Sequence, residues 1–184
     1  EFSFAEQRGF KKQLEELRPD LVHFAMVQQP VWYRASPVVT TMQDLTTVRF
    51  NNPDKNPMVF WVKQQIYKWV NKKVARKSAH IITISDFVKR DLVDFTGVSP
   101  DKITVTLESA DELPKGNDPV KSLIGKKFIM YIGRPTPHKN LRRLIDAFEL
   151  LQQKHPELTL ALAGKKDGNY ARHEAYVTEH GLTN

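Results

Sequence analysis

The chain contains no cysteine. Neither disulfides nor thiolate metal sites can therefore hold it together. A second absence is any apolar run long enough to cross a bilayer as a helix. Glycine is scarce, with 8 in 184 residues, and no G-x-G-x-x-G follows an apolar run. GRPTPHKN lacks the second glycine and the Gly-Lys-Ser/Thr ending of a P-loop. The 6 histidines, at 23, 80, 138, 155, 173 and 180, form no i,i+4 pair of a zinc helix. No helix-turn-helix, zinc-finger or base-stacking signature occurs, which argues against a nucleic-acid partner. Acidic residues are outnumbered, 21 against 28 Lys and Arg, so the formal net charge is +7. Such an excess calls for an anionic partner: nucleotide phosphates, a phospholipid surface or nucleic acid.

What is present is organised around Phe128 to Leu144. FIMYI is a short apolar run closed by Gly133 and reads as a strand buried on both faces. Beyond RPTPHKN, apolar residues recur at Leu141, Leu144, Ile145, Phe148 and Leu151, the spacing of one helical face. Arg134, Lys139, Arg142 and Arg143 therefore crowd a helix start, where the dipole disfavours cations by about 0.3–1 kcal/mol each unless an anion joins them. Free N–H groups, a dipole and basic side chains at the carboxyl end of a strand make a phosphate site. A solvated basic helix end is the plainer alternative, and His138 in the turn is open to both.

YIGRPTPHKNLRRLIDAF resembles the opening of the C-terminal domain of the retaining group 1 glycosyltransferases, which have the GT-B fold and use nucleotide-sugar donors. In that family a Gly-Arg after the first strand and a Lys at the next helix hold the donor diphosphate. The resemblance assigns that role to Gly133, Arg134, Lys139 and Asn140, and a nucleotide-side role to Gly164 and Lys165. Gly164 is equally explained by turn geometry after the strand LTLALAG.

The earlier part of the chain is similar to the same family. In TTMQDLTTVRF, Gln43 stands where the family has a histidine facing the transferred sugar. Glutamine donates a hydrogen bond but cannot take a proton near neutral pH. Gln43 and Asp44 are the candidate catalytic-side residues, and Asp44 has the alternative of capping the following turn. The set HIITISDFVKRDLVDFTGVSPDKITVTLESAD resembles the family's last strand–helix–strand before the domain crossover, with Ser85 read as a helix cap. DLVHF, residues 37–41, 79–85 and 102–107 are the strand candidates of this half, and NNPDKNP at 51–57 is a turn cluster.

Residues 1–111 are thus expected to be the C-terminal part of an acceptor-side Rossmann-like domain. Residues 112–127 have linker composition, and 128–184 are the N-terminal part of a donor domain. The expected fold is α/β, with parallel sheets facing a cleft. The family's late pair of glutamates and its N-terminal glycine-rich loop are not found, so the chain is expected to be a fragment, inactive alone.

The implied reaction transfers a sugar from a nucleotide-diphosphate donor, such as a UDP- or GDP-sugar, to a hydroxyl of a carbohydrate or lipid-linked acceptor with retention, as in polysaccharide biosynthesis. No metal or other cofactor is implied. A non-catalytic nucleotide- or phosphate-binding module remains the alternative, and a basic nucleic-acid-binding domain the remoter one. The expected location is cytoplasmic, extending to the membrane periphery. That extension rests on Met58 to Lys77, a helix with six cations and no acid, plus Trp61 and Tyr67. Its apolar stripe, Val59, Val62, Ile66, Trp69, Val70 and Val74, is expected to pack on the sheet, with the cations free to meet an anionic bilayer.

Overall fold

The computed structural model describes residues 3–50, 56–112, 116 and 118–182. Residues 51–55 of the turn cluster, and 113–115 and 117 of the linker stretch, lie outside the described residues. The chain divides into two compact units, Glu1–Asp111 and Glu112–Asn184.

In the first unit, α1 (Phe4–Leu17) leads to β1 (Val22–Phe24) and β2 (Val38–Thr41). A short α2 (Thr46–Arg49), the long α3 (Pro57–Lys77), β3 (His80–Thr83), α4 (Asp86–Thr96) and β4 (Ile103–Val105) follow. The strands form one parallel sheet in the order β1-β2-β3-β4, with Val22 opposite Val38, Thr40 opposite Ile81 and Ile81 opposite Ile103. Parallel neighbours need a long crossover, which α3 and α4 supply after β2 and β3.

Between β1 and β2 the crossover is irregular and is held by side chains. The buried Gln29 amide donates to Thr40 Oγ1 at 3.0 Å, the Val31 N–H to Gln7 Oε1 at 2.9 Å, and Tyr33 Oη lies 2.7 Å from Ser36 Oγ. The main core gathers Met42, Leu45, Val48, Ala75, Ile81, Val88, Leu92, Val98 and Ile103. Ser85 caps α4 by accepting from the Val88 N–H at 3.2 Å, and Gly97, at φ 72°, ends it in the left-handed conformation.

The expected inward stripe of α3 is corrected. Val70 and Val74 are buried, but Val59, Val62, Ile66 and Trp69 are exposed. The buried residues of the helix all lie in its second half, where Val70, Asn71, Val74 and Ala75 turn inward.

The second unit holds β5 (Lys127–Ile132), α5 (Leu141–Gln152), β6 (Leu158–Ala163) and α6 (Gly168–Glu179). The stretch 112–127 contains a 3₁₀ turn, Lys121–Leu123, and α5 and α6 are of equal length at 12 residues. β5 and β6 pair in parallel from Lys127 opposite Leu158 to Ile132 opposite Ala163.

β5 is the strand expected from its sequence, but its burial on both faces is not observed. Phe128, Ile129, Met130 and Ile132 are all exposed, and β6 is only half-buried. Among the described residues the sheet has two strands, so β5 has a neighbour on one edge alone. Both units are α/β with parallel sheets, the class read from the sequence.

Candidate functional site

In the second unit the backbone turns sharply where β5 and β6 end. Gly133 has φ 152° and donates its N–H to the Ala163 carbonyl at 2.9 Å. A Cβ on Gly164 would lie 2.1 Å from the Gly133 carbonyl oxygen, so the paired strand ends approach this closely only with glycine at 164. Gly164 is thereby accounted for by packing within the unit.

Arg134 follows at once, with its side chain 70% exposed and Nη2 3.8 Å from Asp167 Oδ2. Asp167 has a second task. It caps α6, accepting from the N–H groups of Asn169 at 3.1 Å and Tyr170 at 3.2 Å. Lys139 ends the 3₁₀ turn Pro137–Lys139, and its ammonium has no ion pair or hydrogen bond among the described residues. Asn140 is left-handed, at φ 53° and ψ 38°, and its side chain does not cap α5. Ser3, Asn56, Ser85 and Asp167 do cap α1, α3, α4 and α6.

The four cations do not all stay at the α5 start. Arg142 reaches down the helix to Asp146 at 3.1 Å and lies over the Tyr176 ring. Tyr176 Oη in turn donates to Asp146 Oδ1 at 2.9 Å. Loss of water, and then the Asp146 hydrogen bond, push the Tyr176 phenol above its ordinary value. Beside this cluster is a depression of about 260 Å3 lined by Thr136, Asn140, Arg142, Arg172 and His173 among others. His173 is held below its ordinary value by burial, then by the charges of Arg142 and Arg172. Lys165 follows Gly164 directly and is exposed.

In the first unit a depression of about 210 Å3 opens beyond the carboxyl ends of β1 and β2, where open α/β sheets take ligands. Gln28, Thr41, Gln43, Asp44, Tyr67 and Asn71 line it with others. Gln43 and Asp44 are thus brought to one hollow. Asp44 Oδ1 accepts from the Thr46 N–H at 2.8 Å, so the carboxylate caps the following turn while its other oxygen stays available. Asn71, otherwise buried, donates to the Tyr67 carbonyl at 2.8 Å. Among the described residues no group of three or more His, Asp or Glu is placed to hold a metal ion.

Sequence reasoning did not single out Asp167, Asn71 or Thr41. A polar residue at Asn71, four positions after Tyr67 and inside an apolar stripe, was the available signal. Nothing local marks Asp167 as the partner of Arg134.

Two family models match the chain in succession: Glycosyltransferase Family 4 over residues 1–107 and Glycosyl transferases group 1 over residues 115–184. An uncharacterized glycosyltransferase of Bacillus subtilis strain 168, YqgM, is 34% identical over 101 residues, which are 54% of this chain and 27% of that protein. The chain therefore spans about a quarter of the length of this curated relative. The crystal structure of TarM superposes with a TM-score of 0.61 at 15% identity, covering 92% of this chain and 33% of that one. A co-structure of S. aureus MnaA with UDP does so at 0.51 and 15% identity, covering 97% and 49%. At that identity the two structures speak for the fold alone, and the fold they share with the chain is GT-B. With one family model spanning more than half of its residues and the second taking up where the first ends, the chain belongs to the group 1 and family 4 glycosyltransferases.

Proposed function

We propose that the second unit receives the diphosphate of a nucleotide-sugar donor at the start of α5, in an enzyme that transfers the sugar to an acceptor hydroxyl with retention. The observation that carries this reading is the α5 N-terminus. Among the described residues no side chain caps it, while Arg134 and Lys139 stand beside it with exposed charge. A diphosphate would complete the cap, answer the dipole and meet both cations.

Cleavage of a glycosyl–diphosphate bond leaves negative charge on the departing group. Fixed donors stabilise that charge more in the transition state than in the ground state. Arg134, Lys139 and the helix end would do this, with the Gly133 and Asn140 backbones setting the approach and Gly164 and Lys165 on the nucleotide side. Arg134 must first exchange Asp167 for phosphate, so Asp167 holds the guanidinium in place until donor arrives. Gln43 and Asp44, with Thr41 and Asn71, are assigned to hydroxyls of the sugar or acceptor. Gln43 acts there as a hydrogen-bond partner and not as a base.

The test is calorimetric titration of the chain with UDP and with GDP, repeated on Arg134→Ala/Lys139→Ala. The reading expects measurable binding, weakened at least tenfold in the double variant. Unchanged affinity would place the phosphates elsewhere.

A further inference from the structure

A helix lying on a domain surface ordinarily turns its apolar stripe inward. The first half of α3 does the reverse. Phe60, Gln64 and Tyr67 are half-buried, while Met58, Val59, Val62, Ile66 and Trp69 face outward and are exposed. Those residues recur three or four apart, so they make one continuous stripe along the helix. Trp61, 61% exposed, lies at its flank. Trp32, from the loop between β1 and β2, rests against Trp69 with ring centroids 6.0 Å apart and widens the apolar surface. Phe4, Val31 and Trp32 join Ile66 and Trp69 around a shallow depression of about 280 Å3. All 3 tryptophans of the chain thus belong to this face and are about half exposed or more.

The charge carried by α3 itself has one sign. No Asp or Glu occurs anywhere in α3. Three of its six cations are occupied internally: Lys72 lies 4.9 Å over the Phe95 ring, Arg76 donates to the Thr96 carbonyl and Lys77 to the Pro30 carbonyl. Lys63, Lys68 and Lys73 have no ion pair or hydrogen bond among the described residues. By the helical period Lys73 prolongs the stripe, while Lys63 and Lys68 flank it on opposite sides. A helix charged only for solubility would mix signs at i,i+4 spacing.

An apolar stripe of this extent marks an interaction site, and its cationic border decides among occupants. A two-fold pair of copies would set the same acid-free basic helix against itself, which like charges oppose. An anionic bilayer instead surrounds an apolar insertion with negative headgroups, and indole rings prefer that boundary. We propose that the outward face of the first half of α3, together with Trp32, docks the chain onto an anionic phospholipid surface. This is independent of which donor the second unit takes.

The test is titration of the full chain with vesicles of phosphatidylcholine alone and of phosphatidylcholine with one-third phosphatidylglycerol, at low and near-physiological salt. Co-sedimentation and tryptophan emission are the readouts, because every indole is on the docking face. Binding selective for the anionic vesicles, with a blue shift and salt sensitivity, is expected. Lys63→Gln/Lys68→Gln/Lys73→Gln should weaken it roughly a hundredfold, at about a factor of five per lysine. Val62→Ser/Ile66→Ser should weaken it too and reduce the blue shift, with far-ultraviolet circular dichroism unchanged since both side chains are exposed. Equal partitioning to both lipids, no partitioning to either, or full binding by the triple variant would overturn the proposal. So would a vesicle-free dimer that Val62→Ser/Ile66→Ser dissociates, since a second copy would then own the face.

Discussion

In the first unit β3 runs between β2 and β4, and Ile81 at its centre has 0% of its surface exposed. In the second, β5 has β6 along one edge, and Ile132 keeps 71% of its surface in water. HIIT and KFIMYI are both β-branched or aromatic runs of the kind that forms a strand anywhere. Their different burial comes from the number of neighbours. A strand is dry when strands flank both edges and helices cover both faces, and its own composition supplies neither.

The sharpest way to break this contrast is to cut the same side chain back in both places. Ile81→Ala removes methyl groups from a filled core and is expected to cost the first unit about 2–5 kcal/mol. Ile132→Ala, in an exposed position, should cost the second unit less than about 1 kcal/mol. Urea unfolding followed by a probe in each unit measures both. Similar losses would mean that something shields β5 in solution.

The glycines offer a second contrast, inside one unit. Gly164→Ala drives a methyl into the Gly133 carbonyl and should cost about 1–3 kcal/mol. Gly168, at the first position of α6, has open space around it. Gly168→Ala should therefore stabilise by about 0.4–1 kcal/mol. Thermal unfolding of the two variants compares them directly, and a harmless alanine at 164 would remove the reason given for the close strand ends.

Helix caps give a third contrast. Ser85→Ala deletes a bond to the Val88 N–H and should cost about 1 kcal/mol. Asn140→Gly deletes no cap bond and relieves a left-handed residue, so stability should change by no more than a few tenths of a kcal/mol. A large loss at Asn140 would show that its side chain already serves the helix, and the opening for an anion would close.

The first unit also carries a pH dependence. Burial, and then the charge of Arg34, lower Lys77 from 10.5 to about 8 in the first unit. Between those values the unfolded chain holds the proton that the folded chain has released. Stability of the first unit should therefore rise as pH goes from about 8 to 10.5. Lys77→Met should flatten that slope, and unfolding midpoints across the window read it out.

Much of the fold was legible because its signals are local. The six strands of the described residues, the Ser85 cap and the α5 stripe each sit within a few residues of the pattern that announces them. Burial was not legible. FIMYI carries the same pattern with one neighbour as with two, and α3 carries an apolar stripe whichever way it faces. For that helix, Tyr67 and Asn71 mark the inward side, and hydrophobicity alone chose the opposite one along the first half. Of the candidate site, Gln43 and Asp44 were readable as neighbours in sequence. The pairing of Arg134 with Asp167 was not, since it arises only when β5 and β6 bring their carboxyl ends together.

That pairing also supplies a mild adjustment to the donor site. Asp167→Asn keeps a side chain able to cap α6 but frees Arg134. An exposed ion pair of this kind contributes about 0.2–1 kcal/mol, so UDP should bind up to about fivefold more tightly.

The most direct measurement is an amide-resolved NMR titration of the chain with UDP. Shifts concentrated at Gly133, Arg134, Lys139, Asn140 and the first residues of α5, with Gln43 and Asp44 of the first unit unmoved, are the predicted result. Saturable binding that shifts the first unit's amides and leaves residues 133–143 still would contradict the account.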